Sequence, residues 1–181
     1  MLSAAAAVLM FFSFHVPFTP SFLKMDLSEL PALLAAYAFG PVSGIAVCFV
    51  KNLVNLPFTT TGGVGELANF LLGAAFVLPA GLTYSCRKTR GGAFLGAILG
   101  AVFMAACSLP VNYYIVYPVY TAFLPMNVIL DMYAAIIPSI RTLFDALLTI
   151  NVPFTFVKAM LSVGIAFLIY KPLAPILKGK R

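Results

Sequence analysis

Charge is the scarcest feature of this sequence. Of 181 residues, 11 are Lys or Arg and five are Asp or Glu, together 9%. A soluble domain carries about 25%. So few charges cannot cover a water-facing surface, and a soluble globular fold is excluded. Disorder fails for the opposite reason, since it requires low hydrophobicity and 62% of these residues are hydrophobic. Only one histidine is present, and no GxSxG or HExxH string occurs, which argues against hydrolase or protease chemistry. A glycine-rich phosphate-binding loop is also missing, so the chain cannot hydrolyse ATP itself. The five acids are scattered rather than paired, leaving general acid–base catalysis without a partner. The reading is a non-enzyme. Cys48, Cys86 and Cys107 lie in or beside apolar runs without CxxC or metal-ligand spacing, and read as packing residues or free thiols.

What is present is apolar sequence in long runs. At about 20 residues per membrane helix, the length accommodates six spans. The expected fold is an all-α membrane protein, one integral membrane domain over residues 1–181, with six transmembrane helices and external loops capping a substrate. Residues 2–14 are apolar, but no basic stretch precedes them and Pro17 and Pro20 follow. They read as a short first helix rather than a cleavable signal peptide. The run Leu30 to Val50 is broken at Gly40-Pro41, because a proline pushes the residue before it out of the helical region. Two helices, about 28–39 and 42–56, are therefore expected around a tight turn. A loop at 57–65 contains three threonines and three glycines. Spans follow at 67–86, at about 93–112 and at 153–170. Residues 113–152 are interrupted by Pro118, Pro125, Asp131, Pro138, Arg141 and Asp145. A partly helical cap or re-entrant segment is expected there, with a helix at 139–150.

The net charge of +6 would suggest nucleic acid in a soluble protein, but no charged face exists here to bind it. Basic residues in a membrane protein mark cytoplasmic loops instead. Six spans with both termini in the cytoplasm place Arg87, Lys88, Arg90 and the tail basics Lys171, Lys178, Lys180 and Arg181 inside. The 17–28 loop, the 57–65 loop and residues 113–152 then share the outer face.

Polar groups within spans are expensive and mark functional sites by default. Lys51, Asn52, Asn55, Glu66, Asn69, Asn112, Thr155 and Lys158 converge on that outer end from four spans. Bland roles compete for several of them. Lys51 and Glu66 can neutralise one another, Asn52 and Asn55 can bond between helices, and Arg141 and Asp145 suit a surface i,i+4 pair. His15 fits the membrane interface, and Tyr113, Tyr114, Tyr117 and Tyr120 fit an aromatic belt. Lys158 has no carboxylate at helical spacing, which favours ligand contact.

Local strings add a resemblance. PSFLKMDLSELPALL, FGPVSG, VKNLVN, TTTGGVGELANFLLG with FVLP after it, and VPFTFVK together resemble the riboflavin-specific S-component of energy-coupling-factor (ECF) transporters, from about residue 2 to residue 171. The resemblance implies a six-helix substrate-binding subunit of the cell membrane. It implies as partners a transmembrane coupling protein and two cytoplasmic ATP-binding subunits, with toppling of the subunit as the transport motion. Riboflavin would be the transported ligand, and no cofactor is implied. The implied substrate-binding set is Leu23, Lys24, Asp26, Leu27, Lys51, Asn52, Glu66, Asn69, Asn112, Thr155 and Lys158, with Phe22, Phe70 and Phe154 as ring-packing candidates. Two departures stand out: the family's small-xxx-small motif survives only as Ser3 and Ala7, and Thr155 stands where family members often carry Asn. An S-component for another vitamin or precursor is the main alternative, and a non-transport membrane scaffold or small intramembrane enzyme is another.

Overall fold

The computed structural model describes residues 1–16, 19–20, 23–59, 61–122 and 125–177, with side chains through Leu168. Phe22, Lys178, Lys180 and Arg181 lie outside the described residues, as does the Lys171 side chain. The chain order is α1 (Leu2–Phe11), β1 (Phe14–His15), β2 (Lys24–Met25), α2 (Glu29–Phe39), α3 (Pro41–Asn55), α4 (Val64–Cys86) and α5 (Arg90–Val111). Then come α6 (Tyr117–Tyr120), α7 (Met126–Ala134), α8 (Leu143–Ala146) and α9 (Val152–Leu177). Four helical segments are long and apolar enough to cross a membrane: Pro41–Phe58, Val64–Cys86, Arg90–Tyr120 and Leu143–Leu168. Leu2–Phe11 and Glu29–Phe39 are shorter apolar helices.

The break at position 40 is where the proline rule puts it. Gly40 adopts φ +97°, which favours glycine, and ends α2 as Pro41 opens α3. The two helices fold back on each other and against α4. Small residues let helices approach closely, as they must where lipid supplies no hydrophobic drive between them. On α5 the buried face is Ala93, Gly96, Ala97, Gly100 and Ala101, packed on α4 beside Phe76 and Ala80.

Two clusters of apolar side chains result. One fills the bundle, with Leu33, Val47, Phe76, Met104 and Val163 among its members. A second lies under α7 and α8, built from Val116, Tyr117, Ile129, Tyr133, Ile140 and Leu147.

Residues 113–152 differ from expectation in an orderly way. The fifth helix does not stop near residue 112 but runs on through a π-helical turn, Asn112–Val116, into α6. The last helix begins at Leu143 rather than at 153, and passes through a second π turn, Leu147–Asn151, into α9. Prolines stand near both turns: Pro110 and Pro118 around the first, Pro153 just after the second. Each proline lacks the N–H that would bond four residues back, which loosens the α ladder and admits the wider turn.

The helix expected from 139 starts only at Leu143, with Thr142 as its N-cap. Its hydroxyl oxygen accepts from the Asp145 N–H at 3.1 Å and donates to the Asp145 carboxylate at 2.6 Å. Arg141 precedes the helix, so the expected i,i+4 pair with Asp145 has no helical geometry to form on. His15 is exposed in a short antiparallel ribbon, opposite Lys24.

Candidate functional site

A cavity of about 290 Å³ opens between the two apolar clusters. Leu72 and Met104 of the bundle and Val116 and Tyr117 of the second cluster contribute to its wall, with Phe11, Phe58 and Phe154. The first loop and its ribbon bring Leu23, Lys24 and Asp26 to it. The N-terminal turns of α4 bring Glu66 and Asn69, the first π turn brings Asn112, and α9 brings Thr155 and Lys158. Eight expected site residues therefore meet at one cavity, from the first loop and three helical segments. Apolar walls with a few placed polar groups are what a small organic ligand needs.

Three expected residues stand elsewhere. Lys51 is fully buried away from the cavity, Asn52 donates to the Cys48 carbonyl at 2.7 Å on its own helix, and Leu27 is half-buried off the lining. Asn55 likewise bonds back along α3, to the Lys51 carbonyl at 2.9 Å, rather than between helices. It does line the cavity, as Phe154 does. Phe70 instead packs edge-on against Phe49, with ring centroids 5.7 Å apart.

The charge pairing also differs from the sequence reading. Among the described residues, Lys51 pairs with Glu29 at 2.8 Å, not with Glu66. Positions 29 and 51 are equidistant from the turn at Gly40, so the antiparallel helices bring them level. Glu66 sits in the first turn of α4, where the helix dipole favours a carboxylate. It accepts from the Thr59 hydroxyl at 2.7 Å. Lys158 does have a carboxylate: Asp26, at 2.9 Å, supplied by the first loop. Asp26 is 4% exposed. Burial alone would raise its pKa. The ammonium groups of Lys158 and Lys51 and the Ser28 hydroxyl overcome that and hold it at about 2. Lys158 also donates to Asn69 Oδ1 at 3.4 Å.

Two of the four tyrosines expected at an aromatic belt stand elsewhere. Tyr113 and Tyr114 are exposed, whereas Tyr117 is buried and lines the cavity with Tyr120. The Tyr117 and Tyr133 hydroxyls hydrogen-bond to each other, and Tyr133 donates to Asn151 Oδ1 at 2.6 Å. Asn151 lines the cavity from the end of the second π turn, as Asn112 does from the start of the first. Sequence reasoning missed Tyr117 and Asn151. Each stands within two residues of a proline in an apolar run, at Tyr117-Pro118 and Asn151-Val152-Pro153.

Known proteins place this arrangement. The family model for the substrate-specific component of ECF transporters matches residues 1–170. A protein named riboflavin transporter RibU from Staphylococcus aureus is 36% identical over 178 residues, covering 98% of this chain and 89% of the relative. One from Bacillus subtilis named riboflavin transporter FmnP is 31% identical, covering 100% and 92%. A solved S component of a bacterial ECF transporter superposes with a TM-score of 0.77 at 35% identity, covering 98% of this chain and 94% of that one.

Proposed function

This chain belongs to the family of ECF transporter substrate-specific components, and from that membership we infer that it is the riboflavin-binding membrane subunit of a vitamin uptake transporter. It is a transport protein, not an enzyme, and riboflavin is its cargo rather than a cofactor. The observation that carries the reading is a match along nearly the whole chain to proteins named riboflavin transporters. The cavity supports it on chemical grounds. Riboflavin is a flat, largely apolar tricycle with a uracil-like edge at one end and a hydroxylated chain at the other.

In this reading the chain is one substrate-binding domain, and its site is the lining of that cavity. Leu72, Met104, Val116 and Phe154 pack on the ring system. Asn112, Thr155 and Lys158 read the uracil-like edge, since an amide and a hydroxyl each donate and accept while an ammonium only donates. Glu66, Asn69 and the first loop, with Leu23, Lys24 and Asp26, hold the ribityl hydroxyls and close the cavity. Lys51, Asn52 and Leu27 take no direct part.

Six helices cross the cell membrane with both termini in the cytoplasm, the two short apolar helices completing the four long ones. That places the exposed Arg87, Lys88 and Arg90 inside, as the positive-inside rule requires, and the cavity outside. Energy comes from elsewhere, because the chain carries no nucleotide-binding loop. A transmembrane coupling protein and cytoplasmic ATPases supply it.

The test is the identity of the small molecule that travels with the protein. After purification from cells grown with riboflavin and denaturation of the sample, mass spectrometry of the released fraction should find riboflavin in near-stoichiometric amount. A colourless preparation releasing another vitamin, or nothing, refutes the assignment.

A further inference from the structure

One layer behind the cavity wall lies a charged pair that the flavin-binding reading does not use. Glu29 and Lys51 are both 0% exposed, and neither lines the cavity. Burying an ion pair rarely stabilises a fold more than apolar side chains of the same size would, so it calls for a reason. The surroundings are shaped to hold it. A Cβ added at Gly73 would stand 2.9 Å from Glu29 Oε2 and 3.0 Å from the Cys48 sulfur.

The pair does not end in itself. Lys51 Nζ also donates to Ser28 Oγ at 2.6 Å. An ammonium has no acceptor to offer, so the serine oxygen must accept, and its own proton is directed onward to Asp26 Oδ1 at 2.5 Å. The Ser28 backbone N–H reaches the same oxygen at 2.9 Å. The other oxygen of Asp26 receives Lys158 Nζ at 2.9 Å. The result is one continuous chain, Glu29, Lys51, Ser28, Asp26, Lys158, with two positive and two negative groups. Its far end reaches the cavity. Ser28 itself is fully buried and off the lining.

We infer that Ser28, with the Glu29–Lys51 pair behind it, is a positioning residue for ligand binding: through Asp26 it fixes the Lys158 ammonium at the cavity wall. The inference rests on the flavin-binding reading and goes beyond it, because these three residues touch no ligand. Chains of hydrogen bonds polarise one another in a low-dielectric interior. With the hydroxyl removed, Asp26 and Lys158 keep their charges but lose the link to the Glu29–Lys51 pair, and of the two Ser28 contacts Asp26 keeps only the backbone N–H.

The experiment is a double-mutant cycle read by riboflavin titration of the purified full chain in detergent, with thermal unfolding measured alongside. Ser28→Ala deletes one oxygen and leaves both ion pairs in place. It should weaken riboflavin binding about tenfold in the wild-type background, in the range of one hydrogen bond to a charged group. In the Lys158→Met background the loss should shrink to about twofold, the remainder coming from Asp26, which Ser28 still contacts. An equal loss in both backgrounds would mark Ser28 as merely structural and overturn the inference, as would no loss in the first. Glu29→Gln combined with Lys51→Met removes the pair without altering net charge and should show the same dependence on Lys158, so it carries the test should Ser28→Ala fail to fold. Wild-type protein that binds no riboflavin would instead refute the flavin-binding reading itself.

Discussion

Replacing Lys158 by methionine separates ligand recognition from internal pairing. The ammonium meets Asp26 at 2.9 Å and Asn69 at 3.4 Å while lining the cavity, so its loss has two costs. Toward the ligand, one hydrogen bond from a charged donor disappears, about 1.5–3 kcal/mol, or roughly ten- to 150-fold in affinity. Within the fold, Asp26 is left as a buried carboxylate whose remaining hydrogen bonds, among the described residues, come from the Ser28 backbone N–H and hydroxyl. Breaking a buried pair from one side costs about 3–5 kcal/mol. A second substitution parts the two. Asp26→Asn with Lys158→Met removes both charges, so thermal stability should recover most of the single variant's loss while riboflavin affinity stays at least about tenfold below wild type. Quenching of flavin fluorescence reads the affinity and thermal unfolding in detergent reads the stability. If the double variant regained both, Lys158 would be a structural cation only, and its role at the ligand edge would be refuted.

Three further outcomes follow from the geometry. Because Asp26 is held at about 2, below its ordinary 3.8, its pairing with Lys158 contributes fully above that ordinary value and is lost as pH falls through about 2. A thermal-stability profile should therefore hold down to about pH 4 and fall between about pH 4 and pH 2, and in Lys158→Met the acid limb should move to higher pH; an unmoved limb would contradict the assigned pairing. Gly73→Ala should lower thermal stability by about 1–3 kcal/mol, since its Cβ would press on the Glu29 carboxylate at 2.9 Å; an unchanged or raised midpoint would show that the pair has slack. Membrane-impermeant thiol labelling should reach Thr61→Cys from outside intact cells and Lys88→Cys only after permeabilisation, each in a background lacking Cys86, and the reverse pattern would invert the topology.

The parts of this structure legible in the sequence are those fixed by short-range rules. Gly40-Pro41 announces a helix break because the chemistry of two adjacent residues decides it. The outer-end amides and charges announce a site because a polar group in a span is costly wherever its partner lies. Partners, by contrast, are set by tertiary packing. Lys158 appears unpaired in sequence because Asp26 lies 132 positions away, on a loop that only the folded chain brings to it. The choice of Glu29 over Glu66 for Lys51 follows from the register of the α2–α3 hairpin, which could have been counted outward from Gly40. Pro118 reads as an interruption, yet in the structure it accompanies, with Pro110 and Pro153, the π turns that carry Asn112 and Asn151 to the cavity. Tyr117 shows the same limit, since burial depends on the fold of residues 113–152 and not on its neighbours in sequence.

The central claim is that the cavity of this chain takes up riboflavin, and equilibrium titration of the purified protein tests it most directly. Riboflavin emission should be quenched on addition of protein up to a sharp break at one flavin per chain, and excess unlabelled vitamins of unrelated structure should leave that break in place. Emission unaffected by the protein, or quenching that another vitamin abolishes at equal concentration, would contradict the account.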